Sequence, residues 1–116
     1  MGFTEAVSSV LGKYVGFTGR ASRSEYWYWI LFYVLALIVA IVIDRMLFGF
    51  AILQSILSLA LLLPSIAVAI RRLHDLDRSG WWVLLAFVPI ANIVLIVWFC
   101  MKGTTGPNQY GPDPIP

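Results

Sequence analysis

The densest chemistry in this 116-residue chain lies in the stretch Arg71–Trp82, RRLHDLDRSGWW. It holds the only histidine, His74, beside Asp75 and Asp77, together with Arg71, Arg72 and Arg78. An imidazole next to carboxylates can move protons or hold a metal ion. Either chemistry needs more than the stretch supplies. A metal site needs a second histidine or a thiolate at ligand spacing; there is no other histidine, and the one cysteine, Cys100, is expected at the opposite membrane boundary. A His-Asp pair alone is a two-residue signal and makes no catalytic constellation. No catalytic residue, metal or cofactor is assigned, and the chain is read as non-enzymatic. A single cysteine also excludes an internal disulfide.

Two readings of the charges stay open. If a helix continues through the stretch, Arg71 and Asp75 are four residues apart, as are His74 and Arg78, and Arg72 and Asp75 are three apart, so the pairs share helix faces. Arg20, Arg23 and Glu25 are expected at the same height. The first reading is a rim of mutually compensating, exposed ion pairs, individually weak. The second is recognition of anionic lipid headgroups or a partner by Arg20, Arg23, Arg71, Arg72, Arg78, His74 and Asp75, with Trp81 and Trp82 fixing their height. Each surface base is worth about 1 kcal/mol toward an acidic membrane.

Long apolar runs must position these groups. Hydrophobic residues make up 60% of the chain and charged ones 12%, against roughly 25% charged in soluble domains. The outer surface is therefore expected to meet lipid. Tyr26–Ile43 carries no charge and as a helix covers about 27 Å, one hydrocarbon thickness. Phe50–Ile70 and Trp81–Met101 are also charge-free and long enough to span. Residues 3–15 place Phe3, Ala6, Val7, Val10, Leu11, Tyr14 and Val15 on one face of an amphipathic helix. That helix is expected either to lie in the headgroup plane or to pack on the inner end of the bundle. No cleavable signal peptide is expected, so the first run would drive insertion. Residues 102–116 are rich in glycine and proline and read as a turn-rich tail. The expected fold is all-α: a single polytopic membrane domain over 1–116. It comprises three transmembrane helices (26–43, 50–70 and 81–101), the amphipathic helix, a charged hinge at 71–80 and the tail.

Lysine and arginine alternate along the connecting segments: Lys13, Arg20 and Arg23, then Arg45, then Arg71, Arg72 and Arg78, then Lys102. With three crossings the positive-inside rule puts the N-terminus and hinge in the cytoplasm and the C-terminus outside. Within the spans, Asn92 and Ser58 fall at similar depth, where a hydrogen bond between them is expected, and Pro64 and Pro89 are expected to bend two helices at one level. Gln54, Ser58 and Asn92 are the polar groups that a path shared between copies would use. The absence of an intramembrane ionisable group argues against ion-coupled transport within one chain. A charge of +2 gives no reason to expect nucleic acid.

Three blocks, GRASRSEYW (Gly19–Trp27), RRLHDLDRSGWW (Arg71–Trp82) and KGTTGPNQYGPDP (Lys102–Pro114), resemble the signature segments of the domain of unknown function 805 family. The resemblance covers nearly the whole chain in the right order. It implies a small integral protein of the bacterial cytoplasmic (inner) membrane and brings no established activity. A distinctive hinge and a distinctive tail are candidates for mutual contact, which three crossings forbid; the Met46–Ile70 stretch would then be the first suspect for a run that does not cross. The function expected is association, with itself, with a membrane partner or with acidic lipids; the alternative is an oligomeric channel or transporter for a small solute.

Overall fold

A computed structural model describes residues 2–49, 51–112 and 114, with the backbone alone at position 48. Among these residues it is helical, apart from one isolated bridge between Asn108 and Gly111. The order is α1 (Phe3–Gly12), α2 (Arg23–Ile43), a π-helical turn (Asp44–Phe48), α3 (Leu53–Ala60), α4 (Leu62–Asp75), a 3-10 helix (Gly80–Phe87) and α5 (Asn92–Cys100).

α2 starts where Ser22 caps it: the Ser22 hydroxyl accepts the Glu25 backbone N–H at 3.2 Å. It then runs through the charge-free stretch into the π-helical turn. The expected stop at Asp44 has a structural cause. The Asp44 carboxylate is buried and accepts the backbone N–H groups of Leu53 and Gln54 at 2.8 and 2.9 Å. It caps the first turn of α3 from across the connection, so the two spans are stitched together at this end.

α3 and α4 form one bent rod. Pro64 has no N–H to offer the carbonyl four residues back, that of Ala60, and its ring crowds that turn. The helix kinks at Leu61 (φ −95°, ψ 1°) and continues. The freed Ala60 carbonyl accepts the Tyr14 hydroxyl instead. Helix Arg23–Leu47 and helix Leu53–Asp75 are each long and apolar enough to cross a membrane.

The third run departs from expectation. Residues 81–101 do not form one helix. Val88, ahead of Pro89, is extended (φ −104°, ψ 116°), as the proline ring demands of its predecessor. Ile90 then takes a positive φ of 71°, and the Ala91 N–H donates to the Pro89 carbonyl at 2.8 Å, closing a tight turn. The 3-10 helix before this turn spans about 16 Å and α5 after it about 14 Å, each near half of a hydrocarbon core. The two limbs fold back on each other: Trp82 and Trp98 meet edge to face at 5.7 Å, and the Arg78 guanidinium sits 4.1 Å over the Trp98 ring. Pro64 therefore bends a helix, whereas Pro89 reverses the chain. Residues 81–101 hold no single helix long enough to cross, and the Met46–Ile70 stretch holds most of the second long helix, Leu53–Asp75. The described residues thus form two candidate spans followed by a hairpin of two short helices, and the tail returns to the end of the bundle that holds the hinge.

α1 packs on α2 and α4. Ala6 and Val10 are completely buried, and Val10 joins Ala21, Trp29, Leu61 and Val68 in one core. The Trp29 indole N–H donates to the Ser65 hydroxyl at 3.0 Å, which fixes α2 against α4. A second core of Leu73, Leu95 and Phe99 holds α5 to α4. The expected Asn92–Ser58 hydrogen bond does not form: Ser58 lies on α3, and Asn92 opens α5 just past the hairpin tip.

Candidate functional site: a buried charged cap

The hinge, the link into α2 and the tail converge at one end of the bundle. Two carboxylates and three guanidiniums lie buried there, with Arg72 fully buried, Arg71 1% exposed, Glu25 and Asp75 3% and Arg20 6%. The expected rim was to be solvent-facing; this cluster is not. α4 carries Arg71, Arg72, His74 and Asp75 on its last turn, and the first turn of α2 brings Glu25.

Asp75 is bridged on both sides. Its Oδ1 takes Arg20 (NH2 at 3.0 Å, Nε at 3.1 Å) and its Oδ2 takes Arg72 NH1 at 2.5 Å. The Arg72–Asp75 pair is the expected three-residue contact. The four-residue pair is not made, because Arg71 turns to Glu25 at 2.6 Å and donates Nε to the Gly16 carbonyl at 3.1 Å. Arg78 likewise leaves His74 for Trp98. Among the described residues three buried guanidiniums face two buried carboxylates, and backbone carbonyls supply further acceptors, though Arg71 NH2 and Arg72 Nε find none. A buried charge is tolerated only when such partners are supplied.

Those carbonyls come from the C-terminal region. Arg20 donates to Thr104 at 2.5 Å, to Gly106 at 2.6 Å and to Gly111 at 3.3 Å. The tail is wound around one guanidinium, whose five donors a lysine could not replace. Gly106 (φ +77°) and Gly111 (φ +130°) make the left-handed turns within the loop that presents these carbonyls. Arg72 holds the carbonyls of Phe99, at 3.2 Å, and Met101. Trp27 Nε1 also donates to Phe99, and Arg23 to Cys100, at 3.0 and 3.1 Å. Cations thus satisfy the orphan carbonyls at the end of α5, where the helix dipole favours them. Cys100 lies at the cap end as a result, not at the opposite boundary.

Asp75 and Gly103 meet at the closest approach. A Cβ on Gly103 would lie 1.9 Å from Asp75 Oδ2, and the next residue, Thr104, donates its N–H to the Asp75 carbonyl at 2.8 Å. Asn108 Nδ2 donates to the His74 carbonyl at 2.9 Å, and the His74 ring stacks flat on Tyr110 (4.0 Å, 4°). Sequence reasoning singled out Arg20, Arg71, Arg72, His74 and Asp75 of this site. It missed Gly103, Thr104 and Tyr110, whose part is played largely through backbone and ring face.

Of the other candidate residues, Arg23 is exposed and Arg78 half-buried, while Trp81 (79% exposed) and Trp82 (46%) stand at the mouth of the hairpin. Gln54 lies beside Asp44 and Arg45 at the far turn. Among the described residues, no three of His, Cys, Asp and Glu gather as metal ligands would.

A family model described as "Protein of unknown function (DUF805)" matches residues 14–112, a region that takes in the cap from Tyr14 to Pro112. The chain belongs to this family. It is 51% identical over 111 residues to the inner membrane protein YhaI of Escherichia coli K12, covering 91% of this chain and 92% of that protein. It is 47% identical to the inner membrane protein YhaH of the same strain (90% and 92%), and 33% identical to its uncharacterized protein YiiR (84% of each). No solved structure matches. As a DUF805 member with two helices apolar enough to span, the chain is an inner-membrane protein. The three blocks that carried the resemblance are distant in sequence, and in this DUF805 fold they touch.

Proposed function

We propose that this protein is a non-enzymatic inner-membrane protein that acts by association, offering a rigid basic cap to acidic lipids at the cytoplasmic surface. The distribution of bases carries the reading. Arg20, Arg71 and Arg72 are occupied inside the cap, whereas Lys13, Arg23 and Lys102 stay exposed around it. At the other end only Arg45 is exposed among the described bases. With the tail returned to the hinge, seven of the eight lysines and arginines stand at one end, a stronger bias than three crossings gave. The positive-inside rule assigns that end to the cytoplasm. Arg23 also overhangs a cleft of about 390 Å³ lined by Ser24, Trp27, Tyr28 and Leu31. A base above aromatic rings above an aliphatic floor matches an acidic headgroup and the top of its chain. The channel alternative has no such support: Gln54, Ser58 and Asn92 are spread from the far turn to the hairpin tip.

Two measurements test this. Native mass spectrometry of the protein from mixed phosphatidylglycerol and phosphatidylcholine nanodiscs is expected to find the anionic lipid retained. Arg23→Gln and Lys102→Gln should each weaken that retention by roughly a factor of five. Equal retention of both lipids by the wild type, or no loss in the double variant, sinks the reading. For the topology, Thr105→Cys in a Cys100→Ser background is expected to resist a membrane-impermeant maleimide in intact spheroplasts and to react after lysis. Labelling of intact spheroplasts would place the cap outside.

A further inference from the structure

His74 has a fixed side and a free side. Its Nδ1 lies 2.9 Å from the Gly19 carbonyl oxygen. A carbonyl can only accept, so Nδ1 carries the proton and, in the neutral ring, Nε2 holds the lone pair. The stack on Tyr110 and 92% burial keep the ring from turning. No hydrogen bond to Nε2 forms among the described residues. Nε2 looks toward Gly80, where an added Cβ would lie 3.4 Å from it and 2.7 Å from Ile70 Cγ2. The close fit there leaves no room for a side chain at position 80, and His74 and Gly80 together line a pocket of about 340 Å³. Ile70, Val83 and Leu84 give it an apolar wall, Trp81 and Tyr110 an aromatic one, and Ser79 a hydroxyl.

We propose that this pocket binds a hydroxyl-bearing amphiphile, which donates its O–H to His74 Nε2 and lays its apolar body along Ile70, Val83 and Leu84. Three features converge on that chemistry. The polar group aimed into the pocket is an acceptor of fixed tautomer, so it selects a donor. The walls are apolar and aromatic, so they select a lipid-soluble body carrying it. Trp81 and the start of the re-entrant hairpin put the mouth at the level of an interfacial belt, where such molecules present their hydroxyls. The pocket holds no lysine or arginine, so the site is independent of the charge-based reading above, and loss of lipid retention at Arg23 and Lys102 would leave it standing. Two sources carry this chemistry in a bacterial membrane: the glycerol headgroup of phosphatidylglycerol, and a quinol.

The single histidine makes the test direct. In phosphatidylcholine nanodiscs, whose lipid has no hydroxyl to donate, ¹⁵N NMR of the neutral imidazole is expected to show a protonated Nδ1 and a bare Nε2. Adding phosphatidylglycerol or a short-chain ubiquinol separately then distinguishes the sources: the bound one moves the Nε2 resonance toward its hydrogen-bonded position and leaves Nδ1 unchanged. A bare Nδ1, or an Nε2 signal indifferent to both molecules, overturns the proposal. Two variants separate binding from architecture. His74→Asn keeps an N–H near the Nδ1 position for Gly19 and deletes Nε2, so retention of the active amphiphile should fall roughly tenfold. His74→Gln reaches the Nε2 position with an amide and gives up the Gly19 contact, so it should retain the amphiphile while lowering the thermal midpoint. Undiminished retention in His74→Asn refutes the site. If either variant fails to fold, the wild-type resonance decides.

Discussion

Asp75→Ala is expected to lower the stability of the folded protein by about 3–5 kcal/mol, the cost of breaking a buried ion pair from one side. The effect should fall at the upper end of that range, because one carboxylate serves two guanidiniums: Arg20 on Oδ1 and Arg72 on Oδ2. Both would be left in a site with almost no access to water, Arg72 being fully buried. Thermal denaturation in a mild detergent reads the loss. Asp75→Asn keeps an oxygen for one guanidinium and loses the charge for both, so it should lie between wild type and alanine. The Glu25–Arg71 pair provides a control. Each single removal, Glu25→Leu or Arg71→Met, should destabilise, and the double variant should recover much of the loss because no charge is then left buried alone. An Asp75→Ala protein within about 1 kcal/mol of wild type would mean that water reaches the cap and that the burial argument is wrong.

The second large effect belongs to a residue with no side chain. Gly103→Ala places a methyl 1.9 Å from Asp75 Oδ2 and 2.5 Å from its Cγ, inside any allowed contact. Asp75 cannot yield, since Arg20 and Arg72 hold it on both sides. The tail must therefore move out, and with it go the Thr104–Asp75 hydrogen bond and the Arg20 contacts to Thr104 and Gly106. The expected result is a tail that proteases trim while α2, α3 and α4 stay folded, with a stability loss of several kcal/mol, comparable to overpacking a core plus stranding a buried arginine. Gly106→Ala separates contact from conformation. It meets open space, and only its φ of +77° resists a side chain, so it should cost about 1–2 kcal/mol. Equal effects at the two glycines would show that tail flexibility, not the close approach to Asp75, governs its docking.

The apolar runs were legible because lipid imposes a simple rule: a charge-free stretch of about 20 residues is long enough to cross. That rule located α2 and the bent α3–α4 rod, and the fold class with them. Residues 81–101 have the length and apolarity of a span, yet they form two short helices. What distinguishes that run is local: at Pro89 the Leu85 carbonyl takes the Val88 N–H at 3.1 Å and the helix ends there, while at Pro64 the Ala60 carbonyl takes the Tyr14 hydroxyl and the helix continues. Such replacement comes from a distant part of the chain and leaves no trace in the run itself. The bases of the cap were found because charges flanking apolar runs are conspicuous. Their burial was not visible, since it depends on a tail whose contribution is carbonyl oxygen, and every residue type carries one. Arg20 bonded to Thr104, Gly106 and Gly111 reads in sequence as an arginine and a flexible end. Once the hairpin turns back, the same residues become a core.

The half-depth hairpin also gives the molecule a shape. α2 and the α3–α4 rod run the length of the molecule, while the 3-10 helix and α5 pack beside them toward the cap. The molecule is therefore broader beside the cap than at the Asp44 turn. Pro89, by reversing the chain, makes a wedge of what would otherwise be a three-helix cylinder.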